Sequence, residues 1–304
     1  MEYNLLGKTG FHVSRLGLGG APLGGDFGGV TDKQAVDVIH RALDLGINFI
    51  DTAPLYGHGD SERRIGLALK GRRDRVILAS KAVKRGEAYS YENTIRSVEQ
   101  SLRRLQTDVI DLLQIHEPNA EIAEQIMQEA VPALLKLKEE GKIRAIGING
   151  RELSLLRNFI ETGLFDTTQM FSRYMLIDYS AKDELLPLTR EQQIGVINGS
   201  VLGMGLLADA PPEFLLRNER VVEEAGRRIA QLDFLRKTEP RGLIEPAMRF
   251  SLSCPDIHVT LIGTTSLRSL ELNAGYCDGQ GLPDEELARL LALFPGQPIR
   301  WERS

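Results

Sequence analysis

Short apolar segments alternate with longer amphipathic segments along most of this chain. Short apolar runs bounded by polar or turn residues are typical of strands that are buried on both faces. The predicted strands cover residues 16–20, 47–51, 75–80, 109–115, 143–148, 167–169, 195–198 and 258–263. Apolar residues at helical spacing predict helices at 31–45, 62–70, 91–105, 122–140, 152–162, 181–191 and 243–254, a polar amphipathic helix within 211–238, and a final helix starting near residue 267.

Local turn and cap signals support these boundaries. Residues 3–6 and 12–14 flank a glycine-containing turn at 7–10, which is the signature of a β-hairpin. Thr31 and Gln34 have the spacing of a capping box, so a helix is expected to begin there.

Strand–helix pairs recur about eight times after the hairpin, at spacings of roughly 30–40 residues. This pattern predicts an α/β fold, a (β/α)8 TIM barrel with an N-terminal β-hairpin, forming a single domain over residues 1–304. An open doubly wound sheet is the alternative, but no change in composition marks a second domain. A TIM barrel places its active site at the C-terminal ends of the strands.

Composition and charge argue against several classes of protein. The 304 residues are 42% hydrophobic and 26% charged, as in ordinary globular proteins. The net charge of −5 provides no electrostatic footprint for nucleic acid or an anionic membrane. The two cysteines, Cys254 and Cys277, do not make a disulfide framework. No signal peptide and no apolar run of about 18 residues is recognisable, so we expect a cytoplasmic protein.

Four chemically capable side chains stand at or just beyond the ends of three successive predicted strands. Asp51 ends the first strand, and Tyr56 lies in the loop that follows it. Lys81 and His116 come directly after the next two strands. Each residue alone is more often structural, as a cap, an ion-pair partner or a packed ring. Because parallel strands of a barrel end at one mouth, however, the four are expected to converge there.

Three familiar ligand motifs fail. Residues 116–118 begin with a histidine, but no second histidine follows four positions later, so the zinc-protease motif is missing and we expect no metal site. Residues 17–19 have Pro22 where the third glycine of a Rossmann fingerprint should fall. The glycines of residues 66–71 are followed by Arg72 rather than by the lysine of a P-loop.

The residues around Asp51 and Tyr56 nevertheless resemble a known family over nearly the whole chain. The segments that resemble the aldo-keto reductases are residues 46–57, 61–66, 141–148 and 202–207, together with the lysine and histidine at the strand ends. The segments most similar to the L-galactose dehydrogenase and aldose 1-dehydrogenase branch of that family are residues 20–24, 27–30, 196–200 and 210–214.

The resemblance implies a role for each of the four side chains. Tyr56 would donate and accept the proton, Lys81 and Asp51 would adjust the pKa of its phenol, and His116 would orient the substrate oxygen. A free phenol has a pKa near 10 and is a poor base at neutral pH. A nearby ammonium favours the phenolate, so we expect Lys81 to lower the pKa of Tyr56. A carboxylate would hold that ammonium charged and oriented.

The resemblance also implies a nicotinamide dinucleotide bound along the strand ends. The matching positions are Gly20, Asp51, Asn149, Gln169, Ser200, Leu202, Gly203, Gly263, Thr264, Thr265, Ser266, Arg268 and Asn273. The free N–H groups of the helix after residues 263–266 suit a phosphate, although plain helix capping is the alternative.

Three departures from the family pattern affect this cofactor site. Gly150 stands where the second residue of a carboxamide-binding pair is common, so only Asn149 of that pair contributes, beside Gln169, which matches the other residue that hydrogen-bonds the carboxamide. The usual aromatic residue that stacks on the nicotinamide is replaced near Asn198 and Gly199. Paired cations usually bind the 2′-phosphate of NADP, but residues 263–273 contain Arg268 alone. The cofactor is therefore expected to be NAD or NADP, with NAD favoured.

The expected activity is oxidation of an aldose at its anomeric carbon, from lactol to lactone. An NADPH-dependent aldehyde or ketone reductase is the alternative within enzymes, and a non-catalytic cofactor-binding subunit is the alternative outside them. The expected partner is a small sugar or aldehyde substrate. Polar residues such as Asn198, Arg173 and Glu117 would suit a hydroxylated substrate, and Trp301 could cover the site.

Overall fold

Eight parallel strands close into a barrel in the computed structural model, which describes residues 1–84, 86–238 and 242–301. The strands are β1 (Tyr3–Leu5), β2 (His12–Ser14), β3 (Leu16–Gly19), β4 (Phe49–Asp51), β5 (Ile77–Ala82), β6 (Ile110–His116), β7 (Ile143–Gly150), β8 (Thr167–Phe171), β9 (Gly195–Gly199) and β10 (Val259–Ile262). β1 and β2 pair antiparallel, and β3 to β10 follow one another around the barrel until β10 pairs with β3. The predicted (β/α)8 barrel and N-terminal hairpin are confirmed.

Helices surround the barrel. The α-helices are Ala21–Gly24, Asp32–Asp44, Asp60–Leu69, Tyr91–Leu105, Ala123–Gln125, Val131–Glu139, Leu153–Glu161, Ala181–Glu184, Leu186–Glu191, Glu213–Leu216, Glu219–Ile229, Ile244–Leu252, Leu267–Gly275 and Asp284–Leu291. Shorter 3-10 helices are Gly7–Thr9, Tyr56–Gly59, Arg73–Arg75, Ala120–Ile122, Gly203–Ala208 and Ala230–Leu235, and Ile126–Ala130 is a π-helix. The capping box of Thr31 and Gln34 is present as predicted. Within the described ranges, no helix combines the length and apolarity needed to cross a bilayer.

Two segments differ from the sequence prediction. The helix expected over residues 122–140 is interrupted by the π-helix Ile126–Ala130, just before Pro132. Proline has no N–H to donate and its ring crowds the preceding turn, so the helix widens there. The helix Leu267–Gly275 is also not the last, because Asp284–Leu291 follows it with three acidic residues in its first turn.

Strand alternation divides the barrel interior into an apolar floor and a polar upper layer. The floor consists of Phe49, Ala79, Leu112, Ala145, Ile197, Val259 and Leu261, closed from below by Leu6, Phe11 and Val13 of the hairpin. Successive side chains of a strand point to opposite faces, so residues two apart share a face. Asp51, Lys81 and Gln114 lie two positions beyond floor residues of β4, β5 and β6. Polar groups therefore line the mouth above a dry floor.

Candidate active site

Lys81 and Asp51 form a buried ion pair within the mouth of the barrel. The Nζ atom of Lys81 lies 2.7 Å from Oδ2 and 2.9 Å from Oδ1 of Asp51, and it also donates to the carbonyl oxygen of Thr52 at 2.9 Å. The two side chains are 0% and 3% exposed. Removing one partner of such a pair leaves an uncompensated buried charge, so each residue is needed to stabilise the charge of the other.

Tyr56 lies on the turn that follows this carboxylate. Its ring centroid is 4.9 Å from Nζ of Lys81, and its ring meets the His116 ring edge-on, with centroids 6.1 Å apart. Gly57 has φ +56°, and a Cβ atom there would lie 2.1 Å from the carbonyl oxygen of Gly24. Glycine is therefore required beside Tyr56. The structure thus brings together the four side chains predicted at the strand ends.

The pKa of Tyr56 is raised, mainly because the protein groups around this half-buried residue desolvate the phenol. The Lys81 ammonium lowers this pKa by a smaller amount, and Asp51 raises it further. Lys81 thus acts on the pKa of Tyr56 in the expected direction, but desolvation outweighs the ammonium and the net shift is upward. Burial also acts to lower the pKa of Lys81, but Asp51 and Tyr56 together outweigh burial and raise it. Lys81 therefore carries its charge at neutral pH.

Tyr89, a residue without a predicted role, holds the backbone of His116. Its hydroxyl oxygen accepts the His116 N–H at 2.9 Å, and its O–H donates to the His116 carbonyl at the same distance. The His116 side chain is 2% exposed, with Nε2 3.9 Å from Oε1 of Glu117. The backbone that carries the imidazole is thus fixed at the end of β6.

Gln114 is a second residue that the sequence analysis missed. Its Nε2 donates to Oδ1 of Asp51 at 2.9 Å and to Oε1 of Gln169 at 2.8 Å. The available signal was its position two residues before His116, since alternation directs both side chains into the barrel. A lone glutamine in an apolar strand also favours a buried polar contact, because buried polar groups require hydrogen-bond partners.

Asn149 and Gln169, which match carboxamide-binding positions, are neighbours at the ends of β7 and β8. They pair in register, and Nδ2 of Asn149 donates to the Gln169 carbonyl at 3.3 Å. Asn149 also pairs in register with His116. Both side chains are buried. These two amides therefore adjoin the mouth residues in the next strands.

The predicted phosphate segment, residues 263–266, lies between β10 and the helix Leu267–Gly275. The hydroxyl of Ser266 accepts the N–H of Ser269 at 3.3 Å, and Oγ1 of Thr264 accepts the N–H of Ser266 at 3.0 Å. The Ser266 hydroxyl therefore caps the helix, and the Thr264 hydroxyl closes the turn before it. Arg268 is exposed at the start of the helix.

Segments following β3 and β9 flank β10, which lies between these strands in the barrel. The rings of Phe27 and Phe214, one from each segment, meet edge-on with centroids 5.8 Å apart. Ser200 and Gly203 both have positive φ, at 57° and 59°.

Gly20 donates its N–H to the Asp51 carbonyl at 2.7 Å, and a Cβ atom there would lie 2.9 Å from that oxygen. Close packing alone therefore accounts for glycine at position 20.

Strained backbone is concentrated around the mouth. Val83, Glu117, Ser172 and Ser200, which follow β5, β6, β8 and β9, all have φ between 46° and 62°. Positive φ is uncommon for residues other than glycine, and it is an outlier for a β-branched residue such as Val83. Such strain tends to accumulate at functional sites.

Two polar residues expected beside the substrate are held by other groups of the protein. Nδ2 of Asn198 donates to the Tyr174 carbonyl and the Ser251 hydroxyl, both at 2.8 Å, so this side chain lies against the helix layer. Strand alternation explains the direction, since Ile197 occupies the interior. Arg173 is held by Asp178 and by backbone carbonyls.

Trp301 packs beside the ends of β7 and β8. It is 6% exposed, and its ring centroid lies 5.1 Å from the guanidinium carbon of Arg151, which also lies 4.7 Å from the Phe171 ring centroid. The tail is fastened to this side of the mouth because the N–H of Ile299 donates to Asp178 at 2.8 Å.

A model of the Aldo/keto reductase family matches residues 15–294 of the chain. The chain belongs to the aldo/keto reductase family. This confirms the family resemblance seen in the sequence, and it makes the protein an NAD(P)-dependent oxidoreductase.

Individual family members are similar over nearly the full length of the chain. L-galactose dehydrogenase of Arabidopsis thaliana is 34% identical, with 99% of this chain and 97% of the relative aligned. D-threo-aldose 1-dehydrogenase of Pseudomonas sp is 28% identical over 88% and 90% of the two chains. The structure of an aldo-keto reductase from Klebsiella pneumoniae in complex with NADPH superposes with a TM-score of 0.76 at 26% identity, covering 100% of this chain and 99% of the other.

Proposed function

We propose that this aldo-keto reductase oxidises an aldose at its anomeric carbon and releases a lactone. The C1 hydroxyl loses its proton to the protein, and the C1 hydrogen leaves as hydride, so that C1 and its oxygen form the carbonyl group. NAD or NADP, when bound, accepts the hydride.

The observation that carries this proposal is the buried Lys81–Asp51 pair beside the ring of Tyr56. Tyr56 takes the hydroxyl proton as phenolate, and the Lys81 ammonium stabilises that negative charge. Asp51 keeps the ammonium in place, and His116 orients the reacting oxygen. In the reverse direction Tyr56 donates the proton. Acid–base catalysis of this kind contributes a factor of about 10²–10⁴ to the rate.

Buried acceptors support binding of a nicotinamide dinucleotide. Within the described residues, Oδ1 of Asn149 and Oδ1 of Asn273 are buried without a hydrogen-bond partner. A carboxamide NH2 could satisfy the first, and an adenine amino group the second. Buried polar atoms without partners cost free energy, so both positions fit a bound ligand. Gln169 would complete the carboxamide site, and Arg268 would approach a phosphate.

The aldose assignment draws on two relatives. An L-galactose dehydrogenase and a D-threo-aldose 1-dehydrogenase both align over most of this chain. Glu117, beside His116 at the end of β6, would meet a sugar hydroxyl.

Reduction of an aldehyde or ketone with NADPH is the second candidate. The raised pKa of Tyr56 keeps the phenol protonated at neutral pH, which suits a proton donor. The Klebsiella pneumoniae structure that resembles this chain is a complex with NADPH.

A substrate panel separates the candidates. The protein is incubated with NAD or NADP and aldoses, and with NADH or NADPH and simple aldehydes, while the absorbance of the reduced nicotinamide is followed. Turnover of aldoses supports the first candidate, and turnover confined to NADPH with aldehydes selects the second. Dinucleotide binding without turnover would overturn both in favour of a non-catalytic subunit.

Tyr56→Phe tests the proton transfer. We expect at least a 100-fold loss of kcat with dinucleotide affinity within about twofold, because only the hydroxyl is removed. Tyr276→Phe is the matched control, since the Tyr276 hydroxyl is buried with no partner in the described part of the chain. Full turnover by Tyr56→Phe would contradict the assignment.

A further inference from the structure

We propose that Gln114 is a positioning residue that links the carboxamide-binding side of the site to the acid–base group. The inference rests on the proposed function, because it assigns Gln114 a task in the same reaction. The task is to hold Asp51 with one hydrogen bond and Gln169 with another.

Gln114 is placed for both contacts at once. Its side chain is fully buried, and Nε2 donates to Oδ1 of Asp51 at 2.9 Å and to Oε1 of Gln169 at 2.8 Å. The neighbouring position on β7 is Gly147, where a Cβ atom would lie 2.9 Å from Cγ of Gln114 and 2.4 Å from Oγ1 of Thr167. Glycine at position 147 therefore leaves the space that the glutamine occupies.

The contact with Asp51 acts on Tyr56 through charge. The amide N–H places positive charge against a buried carboxylate, and this partly offsets the negative potential that Asp51 exerts on the phenol. Without that donor the potential at Tyr56 becomes more negative, so the phenolate forms at higher pH. Asp51 would also bind the Lys81 ammonium more strongly, which leaves less of its charge to stabilise the phenolate.

The contact with Gln169 acts on the other side of the site. Oε1 of Gln169 accepts an N–H of Gln114, and this hydrogen bond fixes the Gln169 amide. Nε2 of Gln169 lies 3.4 Å from Oδ2 of Asp51. The orientation of the Gln169 amide thus depends on Gln114. One side chain therefore sets the geometry at both the proton-transfer group and the carboxamide position.

Gln114→Met tests the link, because methionine has similar length and no donor. We expect kcat to fall about 10-fold and the pH midpoint of oxidation to rise by about half a unit to one unit. Affinity for the reduced dinucleotide should fall about 5- to 10-fold, the value of one hydrogen bond, while affinity for ADP-ribose, which lacks the nicotinamide, stays within twofold. Thr168→Val on the outer face of β8 is the control, and it should change none of these quantities.

A double-mutant cycle identifies the route. Gln169→Leu removes the carboxamide contact itself, so adding Gln114→Met should not lower the ratio of dinucleotide to ADP-ribose affinity any further. If each substitution lowers this affinity ratio by the same factor whether or not the other is present, Gln114 does not act through Gln169. A Gln114→Met protein that matches Thr168→Val in affinity ratio and pH profile, and differs only in melting temperature, would reduce Gln114 to a packing role.

The proposed activity and the proposed role of Gln114 can be contradicted independently of each other. If the wild-type protein oxidises aldoses and Gln114→Met has the same pH profile and affinity ratio, the function stands and the role of Gln114 is wrong. If no substrate is turned over but Gln114→Met still selectively weakens the dinucleotide over ADP-ribose, the contact of Gln114 with the carboxamide side stands and the proposed activity is wrong.

Discussion

Replacing Lys81 by methionine should lower both stability and activity, and adding Asp51→Leu should restore only the stability. Methionine keeps the length of the side chain but removes the charge that lies 2.7 Å and 2.9 Å from the Asp51 oxygens. The Asp51 carboxylate, 3% exposed, then keeps the donors Gln114 at 2.9 Å and Gln169 at 3.4 Å. A buried charge without its counter-ion is strongly unfavourable.

The expected loss is about 3–5 kcal/mol of unfolding free energy, the usual cost of breaking one side of a buried pair. No discount for solvent screening applies, because the Lys81 side chain is 0% exposed. Unfolding entropies of about 2.1 cal/mol/K per residue convert this loss, for 304 residues, into a fall in Tm of roughly 5–8 °C. Lys33→Met removes an exposed pair with Asp37, 84% and 44% exposed, and should cost less than about 1 kcal/mol.

Thermal and urea unfolding measure the change in stability, and initial rates measure activity. Lys81→Met should also lower kcat by a factor of about 10²–10⁴. In the double variant Lys81→Met with Asp51→Leu, most of the lost stability should return, because an apolar pair replaces the stranded carboxylate. Activity should not return. If the double variant were less stable than Lys81→Met, or if Lys81→Met unfolded at the same Tm as Lys33→Met, the buried Lys81–Asp51 pair would not have the expected stabilising effect.

Three further predictions concern the same mouth. Because burial raises the pKa of Tyr56, the oxidation rate should increase with pH between about 6 and 10 as phenolate forms, and pH–rate profiles that fall over this range would contradict this. Gly57→Ala should lower both Tm and kcat because its Cβ would lie 2.1 Å from the Gly24 carbonyl, whereas Gly29→Ala, with nothing within 4 Å, should change neither. Arg268→Ala should raise Kd for NADP about 10-fold and leave Kd for NAD within twofold in dinucleotide titrations, since in our proposal its guanidinium would meet the 2′-phosphate. Equal losses of affinity for NADP and NAD would contradict this role.

Local patterns of residues predict the elements of the fold, whereas contacts between distant parts of the chain set the direction of individual side chains. The order of strands and helices was predicted because buried strands and amphipathic helices leave local patterns. The π-helix before Pro132 and the terminal helix Asp284–Leu291 were missed, although each has a local cause. Asn198 was assigned to the mouth, but its inward or outward direction depends on the register of β9 within the closed barrel.

The barrel, the hairpin and the convergence of Asp51, Tyr56, Lys81 and His116 follow from the amino-acid sequence alone, because side chains at the ends of parallel strands necessarily share one mouth. The folded chain alone shows which of these groups touch, how strongly Tyr56 is desolvated, and that Gln114 connects Asp51 with Gln169. Those properties depend on distances between strands far apart in the chain and on the solvent that packing removes, and neither quantity is encoded in any local pattern of residues.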